Sequence, residues 1–334
     1  MIARLAYQFL FVAATLLLVT ACERKPEIHG DQLEVLGASA QITIAGMTPD
    51  DAMKVTRAAA EDLKALDRIG YTFGQEGELY RLNDAIARGK AMEVGTYLLE
   101  LLQHAINLSV TSQGLFNPAA GEFTALWEFH CDKDECTEPT YSDEVQRLVK
   151  EQLSNVMSSH PSMLDLRIAG NRVSSKNPRV KLEFGDIIRG FALDKSIDHL
   201  KRVGVENAMV NIGGNVHAVG TRGDHAWWVG VPDVTGKHHI GYIETDGDEA
   251  VFTVRAFDRS LGKEDSIYRH IVDPRTGLPV NHIQSVTVLH ENAMIANAAA
   301  AALIVADTDN WKTIADSMNV HAFLMISRDG IIYT

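Results

Sequence analysis

Short β-rich runs follow one another closely in the carboxyl-terminal half of the chain, and their spacing limits the topologies that are possible. They lie at residues 208–212, 227–231, 240–244, 251–255, 285–289, 321–326 and 330–333. A parallel crossover needs a dozen or more residues between two strands. The connections between residues 227 and 255 are too short for such crossovers, so we expect an α+β protein with mixed, largely antiparallel sheets flanked by helices.

Helical patterns surround these runs. The clearest helix has Thr48 as its cap, a proline in its first turn and apolar residues at helical spacing, and it is predicted for residues 49–70. Further helices are predicted for residues 96–110, for the segment after Ser142 and for the Ala-rich segment 293–306.

The amino terminus indicates secretion. Residues 1–21 carry Arg4 as their single charged residue and an apolar run that is too short to span a bilayer permanently, which is typical of a signal peptide. Leu18-Val19-Thr20-Ala21-Cys22 resembles the bacterial lipobox, although a buried strand ending in Cys is the alternative. The resemblance implies lipidation of Cys22, palmitate included, and a protein anchored to the bacterial cell membrane that faces the periplasm.

The domain organisation follows from this leader. Residues 22–33 are polar and are predicted to be a tether, and residues 34–334 are predicted to form the folded domain. The chain has 334 residues and a formal net charge of −13, which argues against a nucleic-acid partner. Cys131 and Cys136 flank a polar segment, where an oxidising compartment favours a local disulfide over a metal site or two free thiols.

Three segments concentrate groups that are suited to chemistry. Residues 211–215 carry a double glycine that lets a ligand approach the backbone and offers amides, or simply turns the chain. Residues 270–277 combine an imidazole, a carboxylate, a guanidinium and a hydroxyl, or form a capped turn. Residues 184–194 form a glycine-bracketed loop that runs into a helix whose inner face carries Ile197, Leu200 and Val203, an arrangement suited to phosphate.

Their order and spacing resemble the FAD:protein FMN transferases, the ApbE-type lipoproteins. The matching segments are 37–42, 77–83, 112–118, 126–129, 184–194, 211–215, 270–277 and the Ala-rich helix. The resemblance implies a tunnelling-fold-like architecture that binds FAD and Mg²⁺. It also implies a reaction in which FAD is split, AMP is released and FMN is attached to a Thr or Ser hydroxyl of an acceptor flavoprotein in the envelope.

The resemblance also assigns roles to single residues. His270 would help to activate the acceptor hydroxyl, and Asp273 would hold that histidine or the metal. The cofactor-binding positions would be Glu78, Arg189, Gly213, Gly214 and Thr276.

The predicted metal site departs from the family pattern. The family has an Asp and a Thr one helical turn apart where this chain has Asn297 and Ala301, and Asp186 occupies the position of a small loop residue. An amide is a weaker ligand than a carboxylate for a hard dication, and alanine offers no side-chain oxygen. Either Asp186 restores the lost charge or magnesium does not bind. A small Ser-Gly contact of the family is also replaced by Val254 and Arg255.

Three functions therefore stay open at this stage. The first is a magnesium-dependent flavin transferase. The second is a flavin-binding or partner-binding paralogue without transferase activity, and the third is a nucleotide hydrolase on the same scaffold.

Overall fold

The computed structural model describes residues 28–70, 77–128, 143–185, 187–256, 271–307, 309–330 and 332–333. The helices of these residues are α1 (Pro49–Gly70), α2 (Glu78–Ala87), α3 (Thr96–Thr111), α4 (Gly121–Glu128), α5 (Asp143–Ser159), α6 (Ile187–Arg202), α7 (Ala293–Val305) and α8 (Trp311–Ser317). The strands are β1 (Ile28–Val35), β2 (Ala38–Ala45), β3 (Met92–Glu93), β4 (Leu166–Ala169), β5 (Arg172–Ser175), β6 (Ala208–Ile212), β7 (Asn215–Val219), β8 (Trp228–Pro232), β9 (His239–Glu244), β10 (Glu249–Arg255), β11 (Val272–Asp273), β12 (Leu278–Pro279), β13 (Ile283–His290), β14 (Ala322–Ser327) and β15 (Ile332–Tyr333).

One large sheet organises the fold. It has eight strands in the order β1-β2-β6-β7-β10-β13-β14-β15, and every pairing between them is antiparallel. The strands β8 and β9 form a separate antiparallel hairpin, and two smaller antiparallel sheets join β3-β5-β4 and β11-β12. The α+β class with largely antiparallel sheets is therefore confirmed.

Three predictions from the sequence are corrected. Residues 28–33, which were expected to belong to the tether, form most of β1, and β1 pairs with β2 along its length. Most of the expected loop 184–194 is helical, because α6 already begins at Ile187. Val203 lies beyond α6 and is 50% exposed, so it does not belong to the inner face of that helix.

Helix α7 lies in the middle of the core. Every one of its residues except Ile295 is buried, and it packs against α6, β10 and β13. The small alanine side chains of α7 allow neighbouring elements to pack closely against it. At Gly190 of α6, which has no side chain, the backbones of the two helices are in contact. A Cβ at Gly190 would lie 2.8 Å from the carbonyl oxygen of Ala293 and from Cα of Met294. The first turn of α7 therefore contacts α6 with no side chain between the two helices.

We expect Gly190→Ala to destabilise the protein, although alanine normally favours a helix interior over glycine by about 1 kcal/mol. The added methyl group would overlap backbone atoms, and overpacking of this kind costs about 1–3 kcal/mol. Chemical denaturation monitored by circular dichroism measures the change. Gly241→Ala is the matched control, because nothing lies within 4 Å of a Cβ at that position. Equal stability of both variants would contradict the proposed close contact.

The amino terminus of α7 is capped by the buried Asp194 and the half-buried Asn292. Oδ1 of Asp194 accepts a hydrogen bond from the amide of Ala293 at 2.7 Å, and Oδ2 accepts one from the amide of Met294 at 3.0 Å. The side chain of Asn292 accepts from the amide of Ile295 at 2.8 Å. The first three amides of α7 thus have acceptors, and the two that bind Asp194 are buried where water cannot replace this carboxylate.

His217 on β7 is buried between two carboxylates. Its Nδ1 lies 2.9 Å from Oδ1 of Asp194 as an ion-pair contact rather than an aligned hydrogen bond, and its Nε2 lies 3.0 Å from Oδ1 of Asp248. Asp248 also pairs with Lys201. The side chain of His217 is only 4% exposed, so these carboxylates rather than water are its polar partners.

This pairing shifts the titration of the cluster. Burial alone would lower the pKa of His217, but the carboxylates of Asp194 and Asp248 outweigh burial and raise the pKa above its ordinary value. The hydrogen bond from His217, supported by Lys201, lowers the pKa of Asp248 to about 2. A protonated imidazole therefore stabilises the fold. This stabilisation is complete below the unfolded-state pKa of about 6.5 and is lost as the pH rises through the folded-state value.

We expect His217→Gln to lower the melting temperature more at pH 5.5 than at pH 8.5, because only the lower pH retains the charged imidazole in the parent protein. Thermal unfolding at both pH values measures the two differences. His321→Gln removes an exposed imidazole and serves as the control. A loss of stability in His217→Gln that is the same at both pH values would show that the charge of His217 does not stabilise the fold.

Candidate active site

A cavity of about 270 Å³ lies beside α7, between the β6–β7 turn and the β8–β9 hairpin. We call it the glycine-turn cavity. The residues that matter for its chemistry are Arg189, Gly213, Gly214, Gly236, Arg255 and Asn297. Three of the predicted cofactor-binding residues, Arg189, Gly213 and Gly214, therefore meet at one cavity together with the predicted metal ligand Asn297.

The double glycine turns the chain tightly at the edge of this cavity. Gly213 and Gly214 have φ values of +61° and +90°, a region that favours glycine. Their amides are engaged within the protein, since Gly213 donates to the carbonyl of Ser39 at 2.9 Å and Gly214 donates to Oδ1 of Asn211 at 2.9 Å. The expectation that this turn offers its amides to a ligand was wrong, and the turn contributes open space instead.

Two residues of the cavity lining have buried polar atoms that lack hydrogen-bond partners among the described residues. Neither the side-chain oxygen nor the side-chain nitrogen of Asn297 has a hydrogen-bond partner, and Asn297 is fully buried. Nε of Arg189 is also buried without a partner, while Nη2 donates to the carbonyl of Leu36 at 3.3 Å. A buried polar atom without a partner costs about 1–3 kcal/mol. These two groups are therefore suited to binding a polar ligand.

A second, smaller cavity of about 80 Å³ lies along a neighbouring stretch of α7. Its lining includes Asn117, Glu183, Pro274 and Ala301. Asn297 and Ala301 are one helical turn apart on α7. Asn297 lines the glycine-turn cavity and Ala301 lines the smaller cavity, so the two positions predicted to share a metal line different cavities. Glu183 accepts a hydrogen bond from the amide of Gly185 at 2.5 Å through its Oε1.

The described residues near Asn297 and Ala301 do not fit a magnesium ion. Mg²⁺ requires oxygen ligands, usually including one or two carboxylates. Asn297 offers a neutral amide and Ala301 offers no side-chain oxygen. Glu183, the one described carboxylate that lines the smaller cavity, accepts a hydrogen bond from Gly185 through its Oε1, and Arg189 and Arg255 line the glycine-turn cavity with positive charge. Across the described ranges, no group of three or more His, Cys, Asp or Glu residues could hold a metal.

Asp273 ends β11 and Thr276 lies in the turn that follows, but their polar groups bind within this part of the chain. Oδ2 of Asp273 lies 2.8 Å from Nη2 of Arg275, and Nη1 of Arg275 lies 2.8 Å from Oδ2 of Asp307. The two carboxylates raise the pKa of Arg275 above its ordinary value. Thr276 accepts from the amide of Leu278 at 3.2 Å. Neither Asp273 nor Thr276 lines the glycine-turn cavity.

Glu78 lies at the start of α2 and binds the backbone of the neighbouring helix. Its Oε1 accepts a hydrogen bond at 2.6 Å from the amide of Gly95, which precedes α3. Glu78 does not line the glycine-turn cavity or its smaller neighbour. A contact between this residue and a nucleotide stays a prediction.

Several predicted residues lie outside the described part of the chain. They are Cys22, Cys131, Cys136, Asp186 and His270. The roles given to them by the sequence therefore stay predictions, including the pairing of Asp273 with His270.

Arg255 and Gly236 were not predicted as site residues, although both line the glycine-turn cavity. The replacement of a small contact by bulk and charge at Arg255 was visible in the sequence, but it was interpreted as a departure from the family pattern rather than as a new binding group. Gly236 gave no sequence signal, because it is one of many glycines in turns.

Comparison with known proteins identifies the family. The chain matches the ApbE family over residues 36–324. A FAD:protein FMN transferase of Rhodobacter capsulatus is 37% identical over 257 residues, which cover 77% of this chain and 47% of that protein. A FAD:protein FMN transferase of Vibrio cholerae is 27% identical over 327 residues, which cover 96% of this chain and 94% of that protein.

Solved structures agree with this match. The crystal structure of the ApbE protein from Thermotoga maritima superposes with a TM-score of 0.76 at 25% identity, covering 92% of this chain and 96% of that chain. The flavin transferase ApbE from Vibrio cholerae has the same fold, with a TM-score of 0.74 at 24% identity over 92% of this chain and 96% of that chain. The sequence match over most of its length and the shared fold show that this chain belongs to the ApbE family.

Proposed function

We propose that this protein is an FAD:protein FMN transferase, which moves FMN from FAD to a Thr or Ser hydroxyl of an acceptor flavoprotein and releases AMP. The observation that carries the proposal is the glycine-turn cavity, where Arg189 and Asn297 present buried polar atoms without partners. The relatives from Rhodobacter capsulatus and Vibrio cholerae carry the same activity in their names. A binding paralogue without activity is therefore less favoured.

The reaction is a phosphoryl transfer. The acceptor hydroxyl oxygen forms a bond to the phosphorus of the FMN half, and the bond from that phosphorus to the bridging oxygen of the diphosphate breaks. AMP leaves with the bridging oxygen, and the hydroxyl loses its proton. Such reactions depend mostly on positioning the groups and stabilising the charge on the phosphoryl oxygens.

The residues around the cavity can contribute to both tasks. The turn at Gly213 and Gly214 leaves space for a flat ring system. Arg189 supplies a guanidinium that can donate to phosphate oxygens. We assign activation of the acceptor hydroxyl to His270 because of the family resemblance. Arg275 pairs with Asp273 and with Asp307. These ion pairs hold the turn after β11 against the segment that follows α7.

Magnesium dependence is not part of this proposal. The described residues do not fit the ion, so no step is assigned to a metal. Loss of magnesium-dependent FAD binding in Asp186→Ala would show that Asp186 contributes a ligand.

The activity is tested by incubating the purified protein with FAD and a folded acceptor flavoprotein domain. We expect the acceptor to gain the mass of one FMN less one water for each AMP released, as measured by intact-protein mass spectrometry and nucleotide chromatography. We expect His270→Ala to lower the rate by about 100-fold or more if His270 acts as the general base. Free FMN with AMP and no labelled acceptor would indicate a hydrolase, and unchanged FAD would contradict transferase activity.

We also propose that the chain is anchored through a lipid on Cys22 and faces the periplasm, on the basis of the lipobox resemblance. Among the described residues, no helix is both long and apolar enough to cross a membrane. When the full chain is expressed in a bacterium with labelled palmitate, we expect label in the membrane fraction. Cys22→Ser should remove the label and release the protein from that fraction. A variant that stays in the membranes would contradict lipid anchoring.

A further inference from the structure

Arg255 is the last residue of β10 and its guanidinium reaches the tip of the neighbouring hairpin. A Cβ at Gly236 would lie 2.0 Å from Nη1 of Arg255, so this glycine leaves the room that the guanidinium occupies. Gly236 has a φ of +69° and donates from its amide to the carbonyl of Asp233 at 3.0 Å. The guanidinium of Arg255 therefore lies against a hydrogen-bonded turn.

The carboxylate nearest to this turn in the sequence is used by the turn. Oδ1 of Asp233 accepts from Oγ1 of Thr235 at 2.7 Å and from the amide of Thr235 at 3.0 Å. The strand that carries Arg255 is joined to β13 by the hydroxyls of Thr253 and Thr287, which lie 2.8 Å apart. The described residues show no salt bridge between Arg255 and Asp233.

The charge of the glycine-turn cavity is opposite to that of the whole protein. The chain has a net charge of −13, yet the described residues that line this cavity include Arg189 and Arg255 and no Asp or Glu. Neither arginine forms a salt bridge with a carboxylate within the described part of the chain. Two guanidinium groups that lack acidic partners form a site for an anion that carries about two negative charges.

Asn297 adds a group that favours an anion over a cation. Its amide nitrogen and amide oxygen are both buried and both lack partners. The nitrogen can donate to a phosphate oxygen directly, whereas a carboxylate at the same position would repel the phosphate unless a cation lay between them. An asparagine beside two arginines therefore suits a phosphate without a metal.

Resting on the proposed function, we propose that Arg255 and Arg189 neutralise the diphosphate of the bound dinucleotide, and that the cavity binds this anion without a divalent cation. Arg255 is then a binding residue for the diphosphate, and the amide of Asn297 donates to one of the phosphate oxygens. Asn297 and Ala301 do not offer the ligands that would bind a metal ion. The two guanidinium groups supply the positive charge that the metal ion would otherwise supply.

The experiment compares a flavin that has a diphosphate with one that has no phosphate. Purified protein is titrated with FAD and with riboflavin, monitored by flavin fluorescence, once in EDTA and once in MgCl₂. We expect the Kd for FAD to differ less than about threefold between the two buffers, because no metal takes part. We expect Arg255→Ala to weaken FAD binding by about 10- to 100-fold, the loss typical of a hydrogen bond to a charged group, and to leave riboflavin binding unchanged.

Matched variants separate charge from structure. Arg167→Ala removes an exposed arginine from a small sheet and should leave FAD binding unchanged. Arg255→Lys keeps the positive charge but lacks the two-pronged guanidinium. We expect its Kd for FAD to lie between those of the parent protein and Arg255→Ala. Asn297→Asp combined with Ala301→Thr should weaken FAD binding in EDTA, and MgCl₂ should restore it, because the carboxylate recruits the ion.

The outcomes distinguish this inference from the proposed function. If the parent protein binds FAD only in MgCl₂ and loses that binding in Asp186→Ala, a metal neutralises the diphosphate, and the inference fails while the function stands. Equal FAD affinities of Arg255→Ala and Arg167→Ala would also overturn it. A parent protein that binds neither flavin in either buffer would overturn the proposed function together with the inference.

Discussion

The carboxylate of Asp194 holds the centre of this structure together. Helix α7 is buried almost completely, so its first amides cannot be satisfied by water, and Asp194 accepts two of them while it pairs with His217. This one side chain therefore joins α6, which carries Arg189, to α7, which carries Asn297, and to β7, which follows the double glycine. The walls of the glycine-turn cavity are positioned relative to one another through this contact, and the chemistry proposed for the cavity depends on it.

The electrostatics of the site follow from which residues face each cavity. Helix α7 presents Asn297 to the glycine-turn cavity and Ala301 to the smaller cavity next to it. On the side of Asn297 the described lining is positively charged, within a protein that is acidic overall. A concave, locally positive site in an acidic protein concentrates the field on an anionic ligand, which favours a nucleotide over other small molecules. The changes at Asn297 and Ala301 then indicate that arginines, rather than a metal ion, supply the positive charge of the site. They do not indicate loss of function.

Much of the fold could be predicted from the sequence, and the failures have physical reasons. The strand Ala208–Ile212 and the helix Pro49–Gly70 were predicted with their observed bounds, because their apolar residues have clear periods of two and 3.6. Strand β1 was assigned to a tether because it is polar and mostly exposed, and its pairing with β2 uses the backbone. The pairing of His217 could not be predicted, because its two carboxylate partners lie 23 and 31 positions away. Arg189, Gly213 and Asn297 were found through the family resemblance, whereas Arg255 and Gly236 meet only in three dimensions.

The backbone contact at Gly190 constrains how the site can diversify. Because α6 and α7 touch at their peptide planes, the spacing between Arg189 and Asn297 is set by main-chain atoms, and a larger side chain at position 190 would widen it only at a cost in stability. Variation in the size or selectivity of the aperture is left to the opposite rim, where the Asp233–His238 turn and the end of β10 close the cavity. A library that aims to change which nucleotide this scaffold accepts should therefore randomise that rim and leave the helix pair untouched.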